Sequence, residues 1–347
     1  MSALPDWLAR RWYGDTPPGL LLSALEKPYA ALVGLRRLGF HKRWFKAHRV
    51  SAPVIVVGNL TLGGTGKTPL TIAVVEWLQQ RGWKPGVVSR GHGRRSRGLV
   101  RVGPGTTPHQ GGDEPCLIAA RTGAVVVVDR DRVAAAEAAL AAGADIIVSD
   151  DGLQHYRLAR DLEIEMIDSR RGYGNGRMLP AGPLREPVER AGQCDAHVVN
   201  GGEADAEGKW AMRLLPLPLQ RLHPAEGESV DGDEGRELAS FAGRRVHAVA
   251  GIGHPDRFFA TLREAGLDPI EHPFPDHHVF ADGDLDFADD LPVLVTEKDA
   301  IKLRQRVPGN REVWVLPVRA ELPGAFYAML AGQLTRFQAG MAGIDLF

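Results

Sequence analysis

The sequence predicts an α/β fold, with a P-loop NTPase-type parallel-sheet domain, a second, smaller α/β domain and an N-terminal amphipathic helix. Three observations carry this expectation. A β-branched run, Val54-Ile55-Val56-Val57, feeds the loop Gly58-Asn59-Leu60-Thr61-Leu62-Gly63-Gly64-Thr65-Gly66-Lys67-Thr68 and then a helical stretch opened by Pro69, which is the context of a phosphate-binding loop. Apolar runs alternate with helical stretches as far as Asn200, the pattern of parallel strands covered on both faces. After an acidic, Gly-rich break beyond Gly201, a second βα alternation begins.

The 347 residues suffice for two domains, and 42 Lys and Arg against 43 Asp and Glu argue against nucleic-acid binding by bulk positive charge. Cys116 and Cys194 have no metal or redox spacing and read as small buried residues of a cytosolic-facing protein. Nothing indicates an obligate protein partner.

In chain order, residues 18–49 come first, with a helical stripe of Leu21, Leu25, Tyr29, Leu32 and Leu35 followed by a basic flank carrying Trp44 and Phe45. Glu26 and Lys27 interrupt the apolar run, so it is not a spanning helix. Two readings stand: the helix lies on an anionic membrane surface, or it packs its stripe on the neighbouring domain. Strands are expected at residues 54–57, 86–89, 125–129, 145–149, 162–167 and 197–200, and helices at 69–80, 113–121 and 130–142. Ligands of such a sheet collect at the carboxyl ends of the strands. Beyond a strand at 210–217 and a loop at 225–235, βα units are expected at 245–265 and 292–304, then a strand at 312–317 and a last helix over 324–338. The boundaries follow: an N-terminal segment to residue 49, a phosphate-loop domain over 50–209, a two-stranded linker from 210–220 and 312–321, a smaller domain over 221–311, and a C-terminal helix within 322–347.

The chemistry starts at the loop. Thr61, Leu62, Gly63, Gly64, Thr65 and Gly66 supply a backbone cradle for polyphosphate, Lys67 a point charge, and Thr68 a hydroxyl for Mg²⁺. Thr61 stands where the general motif has its first glycine. A second apolar run ends in Asp150-Asp151, carboxylates suited to hold the metal opposite the loop. Asp113 opens a helix, where it either complements the helix dipole or faces the cleft as a proton acceptor. Arg90 and Arg94, among glycines after a strand, read either as phosphate clasps or as a solvated charge run. Arg185 and Glu186 are the only charged residues of a Pro-punctuated loop over 179–187, and His277 sits in the loop Phe274-Pro275-Asp276-His277-His278. Gly251-Ile252-Gly253-His254-Pro255 is a weak glycine motif, and Thr296-Glu297-Lys298-Asp299 lacks the spacing of guanine-specific loops.

These motifs, with Ser89-Arg90-Gly91-His92-Gly93-Arg94, Gly112-Asp113-Glu114-Pro115 and Asp150-Asp151-Gly152-Leu153-Gln154-His155, together resemble the tetraacyldisaccharide 4'-kinases of lipid A synthesis. That family typically lacks the first loop glycine, as at Thr61, and usually has Tyr where His92 stands. The resemblance implies ATP- and Mg²⁺-dependent transfer of the γ-phosphoryl group to the 4'-hydroxyl of a lipid A disaccharide 1-phosphate precursor. It places this at the cytoplasmic face of the inner membrane of a Gram-negative bacterium, with the N-terminal helix on the membrane. It implies Asp113 as catalytic base with His277 as partner, beside Lys67, and Asp150, Asp151 and Glu186 around metal and nucleotide. By the same likeness Asn59, Arg90, Arg94, Glu114, Gln154, His155 and Arg185 are expected around the substrate. The rival expectations are a membrane-associated P-loop ATPase switch and a P-loop kinase or ligase of a soluble metabolite.

Overall fold

Val54–Gly58 (β1) is buried along its whole length and lies parallel between Ile146–Asp150 (β5) and Leu162–Asp168 (β6). Strands covered on both faces show continuous apolar runs without alternation, which is why this part of the sheet is readable in the sequence. The parallel sheet extends through Pro85–Ser89 (β2) and Val125–Val128 (β4) on one side, and Ala196–Asn200 (β7) and Lys209–Pro216 (β8) on the other. Antiparallel edges, Val100–Val102 (β3) beside β4 and Val318–Glu321 (β14) beside β8, complete nine strands in the order β14-β8-β7-β6-β1-β5-β2-β4-β3. The computed structural model describes residues 6–202, 209–222, 235–304 and 311–341; the loop expected at 225–235 lies outside them except for Gly235.

Lys67–Gln79 (α3), Asp113–Thr122 (α5) and Gly324–Met341 (α9) cover one face, burying Leu70, Val74, Ile118, Phe326 and Leu330 completely. Each such side chain contributes about 1.5–3 kcal/mol of burial. Arg132–Ala141 (α6) covers the other face through alanines, and a Cβ on Gly86 of β2 would stand 2.8 Å from the Ala139 Cβ. That close approach requires glycine.

A second sheet has the order β11-β10-β12-β13-β9: Arg245–Ala250 (β10), Asp268–Pro273 (β11), Val293–Thr296 (β12) and Val313–Leu316 (β13) run parallel, and Gln220–Arg221 (β9) pairs antiparallel with β13. Pro255–Glu264 (α7) and Glu297–Leu303 (α8) connect its strands. The chain crosses between the sheets twice, through residues 217–219 and at Pro317, where Leu217 N donates to Pro317 O at 2.9 Å.

At the N-terminus, Asp6–Tyr13 (α1) precedes Gly19–His41 (α2). The helical expectation for residues 18–49 is corrected at its end. Arg43 takes a left-handed φ of 60°, and Phe45 N donates to Gly39 O at 3.1 Å, folding its ring over Gly39 where a Cβ would collide. Tyr29, Ala30 and Val33 pack against the core below. The remainder of the stripe points away from the protein: Leu21 is 72%, Leu32 68% and Leu35 58% exposed. No helix among the described residues is long and apolar enough to cross a membrane.

Candidate active site

The loop between β1 and α3 is held from both flanks. Asn200, at the end of β7, donates from Nδ2 to Thr65 O at 3.0 Å, and Asn59 donates from Nδ2 to Thr61 O at 2.7 Å. Gly63 and Gly66 have φ of 108° and 98°, and a Cβ on Gly66 would sit 2.5 Å from the Asn200 amide, so both conformation and space exclude a side chain there. Leu62 N donates to Pro183 O at 2.8 Å and Thr61 bridges Leu184, tying the loop to the Pro-rich segment. Lys67 Nζ donates to Asn59 Oδ1 at 3.0 Å and lies 3.7 Å from Asp151. Asn59, expected at the substrate, is fully buried and spends its amide on Thr61 and Lys67, so it braces the loop instead.

Asp150 ends β5 fully buried, accepting from Thr71 Oγ1 and Ser89 Oγ at 3.3 Å each. Burial, reinforced by the charges of Glu114 and Asp151, pushes its carboxyl up to about 7. Asp151 turns the chain with a left-handed φ of 50° and accepts from Arg185 Nη1 with both oxygens, at 2.9 and 3.0 Å. Burial works to raise this second carboxyl, but Lys67 and Arg185 outweigh it and hold it well below the usual carboxylate range. Glu186, expected around the metal and nucleotide, is 2% exposed, with one oxygen on the Tyr156 hydroxyl and the other 3.4 Å from Gln154 Nε2.

Across the cleft, His277 Nδ1 lies 3.1 Å from Asp113 Oδ2, bringing a loop beside the small sheet to the first turn of α5. Asp113 makes no capping hydrogen bond; Gly112 is the N-cap residue. Burial raises the Asp113 carboxyl, but the hydrogen bond from His277 and the charges of Lys302 and Lys298 bring it below its ordinary value. His277 is held at a left-handed φ of 61°, a conformation non-glycine residues adopt only where the surroundings impose it. The His92 ring lies 5.3 Å from that of His277. α8 packs on α5, and Arg121 Nη1 donates to Glu297 Oε1 at 2.6 Å, joining the last turn of α5 to the first turn of α8.

A cavity of about 420 Å³ runs from residues 64–69 of the loop to Glu114, Asn200, Arg257, Asp276 and Lys298. A larger one, about 900 Å³, lies on the other side of Asp113 and His277, among Arg101, His109, Phe280 and Lys302. The smaller cavity is the one with phosphate chemistry, because the loop forms its wall. From beside the second sheet, a Cβ on Gly253 would lie 3.5 Å from Gly64 N, and Arg257 Nη2 reaches the buried Asp168 at 2.7 Å.

A family model, tetraacyldisaccharide-1-P 4'-kinase, matches residues 19–335. The tetraacyldisaccharide 4'-kinase of Xanthomonas euvesicatoria is 51% identical over 337 residues, covering 94% of this chain and 95% of its own; that of Stenotrophomonas maltophilia is 51% identical over 336 residues, covering 94% and 96%. This chain belongs to the tetraacyldisaccharide-1-P 4'-kinase family. A crystal structure of LpxK from Aquifex aeolicus in complex with ATP superposes with a TM-score of 0.74 at 27% identity, covering 91% of this chain and 99% of that one. The activity is therefore ATP-dependent phosphoryl transfer to the 4'-hydroxyl of the tetraacyldisaccharide 1-phosphate of lipid A biosynthesis.

The residues fit what a tetraacyldisaccharide 4'-kinase must hold. Thr65 Oγ1 is buried without a hydrogen-bond partner in the cavity wall, and the loop glycines leave a cradle for polyphosphate. Mg²⁺ takes most of its shell from phosphate and water, so the Thr68 hydroxyl at the start of α3, in the wall of this cavity, is the kind of single protein ligand it uses. Glu114 lines the cavity, whereas Arg90 is exposed outside it and Arg94 donates from Nη1 to Val128 O at 3.2 Å. Asn200, Asp168, Arg257 and Lys298 were not expected; their one sequence signal is a place at, or just after, the carboxyl end of a strand.

His155, also expected at the substrate, accepts instead from Arg132 N at 3.3 Å at the start of α6. Burial, then the charges of Arg132, Arg160 and Arg36, pull it down to about 4. A folded-state value below the unfolded one, ~6.5, means the folded protein favours the neutral ring: this stabilisation is complete above pH ~6.5 and drains away as pH falls towards the folded value. The thermal unfolding midpoint is therefore expected to fall over that window. His155→Gln, which keeps an acceptor without the titration, is expected to flatten part of the slope; an unchanged slope in thermal melts across the window would remove His155 from this role.

Proposed function

We propose that this kinase works on a membrane surface, the cytoplasmic face of the inner membrane of a Gram-negative bacterium, with residues 1–49 lying on anionic lipid. The observation that carries this is the outward stripe of α2, where Leu21, Leu25, Leu32 and Leu35 are exposed while Tyr29, Ala30 and Val33 pack inward. Basic residues follow the stripe, including Arg43, Lys46 and Arg49, which favours anionic headgroups. In this reading a phosphate-loop domain built on the nine-stranded sheet, β8 and β14 included, is joined through residues 217–219 and Pro317 to a smaller domain built on the second sheet, β9 and β13 included, so the strands expected to form a linker over 210–220 and 312–321 divide between the two sheets. α9 returns to the first domain, where Tyr327 stacks on Trp77 at 5.7 Å.

ATP with Mg²⁺ supplies the phosphoryl group and neutralises charge during its transfer. Lys67 and residues 61–66 bind the phosphates, while Thr68 and Asp150 supply the metal's protein ligands, with Asp151 beside them. Arg185 orients Asp151, and Gln154 links Asn59 to Glu186. Asp113 takes the proton of the acceptor hydroxyl and His277 orients it. Because Asp113 and His277 come from opposite sides of the cleft, the pair is complete only when the cleft is closed, which limits hydrolysis by water.

Replacing Leu21, Leu25 and Leu32 together with Ser is expected to release the protein from anionic vesicles in a sedimentation assay. Transfer to a dispersed acceptor is expected to persist, while transfer to vesicle-borne acceptor falls. Equal vesicle binding by the triple variant and the parent would show that the stripe is not the membrane contact.

A further inference from the structure

Thr296-Glu297-Lys298-Asp299, unassigned in the sequence, turns out to place four side chains in four directions. Thr296 caps α8, Oγ1 accepting from Asp299 N at 3.2 Å; Glu297 bridges to Arg121; and Asp299 is buried against Gly251 N at 2.9 Å and Lys302 at 2.6 Å. Lys298 turns into the cleft. Its Nζ lies 3.1 Å from Asp276 Oδ1, 3.5 Å from Glu114 Oε1 and 3.5 Å from His277 Nε2.

We propose that Lys298 is a positioning residue that fixes the tautomer of His277, keeping the ring proton on Nδ1, where it faces Asp113. The proposal rests on the Asp113–His277 reading above. An ammonium has three donors and no acceptor, so a ring nitrogen in contact with it must present a lone pair. The competing tautomer would send Nε2–H to Asp276 Oδ2, which is 3.8 Å away and beyond direct hydrogen-bond reach, while Nδ1 is 3.1 Å from Asp113. Burial works against the ammonium, but Glu114, Asp276 and Asp113 outweigh it and raise it above the usual lysine range, so it stays charged throughout neutral pH. The groups facing the ring are then Asp113 from α5, Asp276 from its own loop, Lys298 from α8 and His92 from the loop after β2. With the proton on Nδ1, His277 donates to one oxygen of Asp113, and the proton leaving the acceptor hydroxyl passes to Asp113 itself. Glu114 belongs to the first domain and Lys298 to the second, so the tautomer is set by the contact that closes the cleft.

Nitrogen-15 NMR of the full chain with labelled histidine reads this without turnover, with the His277 signal identified by its loss in His277→Gln. The native protein is expected to show Nδ1 protonated and Nε2 bare. In Lys298→Met the ring is left among carboxylates without the ammonium, which favours the imidazolium. The ring is then expected to take a second proton more readily than in the native protein, so that both nitrogens are protonated in a larger share of molecules and the acidic limb of the kcat profile moves upward. Lys298→Arg is expected to keep the native signal. A native His277 carrying its proton on Nε2 overturns the proposal even if Lys298→Met does not fold. So does a Lys298→Met protein with native tautomer and native pH limb, whatever its thermal midpoint. Unimpaired turnover in His277→Ala, with the native tautomer as expected, would instead overturn the catalytic reading of the pair and leave the tautomer assignment standing.

Discussion

Lys67→Ala is expected to lower phosphoryl transfer by roughly 10³-fold or more while leaving the fold intact, because a preorganised cation at a transferring phosphoryl group acts where charge builds up. The side chain is not a core element. Its carbon chain leads to an ammonium held by Asn59 Oδ1 at 3.0 Å, and Asp151 keeps Arg185 as its partner when the lysine is removed. Asn59 loses one acceptor contact but retains its own donation to Thr61 O, so the loop stays braced. The structural cost is therefore confined to one buried acceptor left open, about 1–3 kcal/mol. Initial rates with saturating ATP, set beside circular dichroism and the thermal midpoint, separate the two effects. Near-normal turnover by a folded Lys67→Ala protein would remove Lys67 from the phosphates.

The fold was legible where burial is two-sided. β1, β4 and β5 carry unbroken runs of Val and Ile, and β2 the pair Val87-Val88, so neither face needs a polar alternation and each run stands out. β11 was missed because Asp268–Pro273 is a half-exposed edge strand with a proline at each end of Pro269-Ile270-Glu271-His272-Pro273, a composition that an edge tolerates and a sequence reader discounts. β3 and α4 (Pro108–Gly111) are too short to show a period. The α2 stripe was found, but which side faces the protein depends on Tyr29 and Val33 meeting a core built from residues far along the chain.

The site was legible in its local pieces and hidden in its long-range ones. The phosphate loop and Asp150 are announced by what sits next to them in sequence. Asn59 and His155 have the right neighbours and different work, since their partners, Lys67 and the Arg132 backbone, are chosen by tertiary packing. Lys298 and Arg257 approach the loop from a second sheet, and no local pattern encodes that distance.

The pairing of Asp113 with His277 leads to the most demanding expectation. A carboxylate held below its ordinary value, chiefly by the His277 hydrogen bond and by Lys302 and Lys298 acting against burial, is a weak base in the ground state. In a loose phosphoryl-transfer transition state the hydroxyl loses its proton late, when its acidity has risen, so a weak base in the right place suffices. The imidazole at 3.1 Å donates to that carboxylate and fixes its orientation towards the acceptor hydroxyl, which makes the two a single unit. Asp113→Asn keeps the size and removes the basicity; His277→Ala keeps the carboxylate and frees its orientation. Each is expected to lower kcat by roughly 10²-fold or more, with ATP affinity nearly unchanged because residues 61–68 and Lys67 remain in place. The double variant is expected to be little slower than the poorer single one, since groups acting as a unit do not lose their contributions twice. Rates for the four proteins at saturating ATP and acceptor form the cycle, with the thermal midpoint of each variant reporting any loss of cleft closure. Losses that multiply in full would assign Asp113 and His277 to separate steps, and their 3.1 Å contact would then be a bridge across the cleft and not a proton-transfer unit.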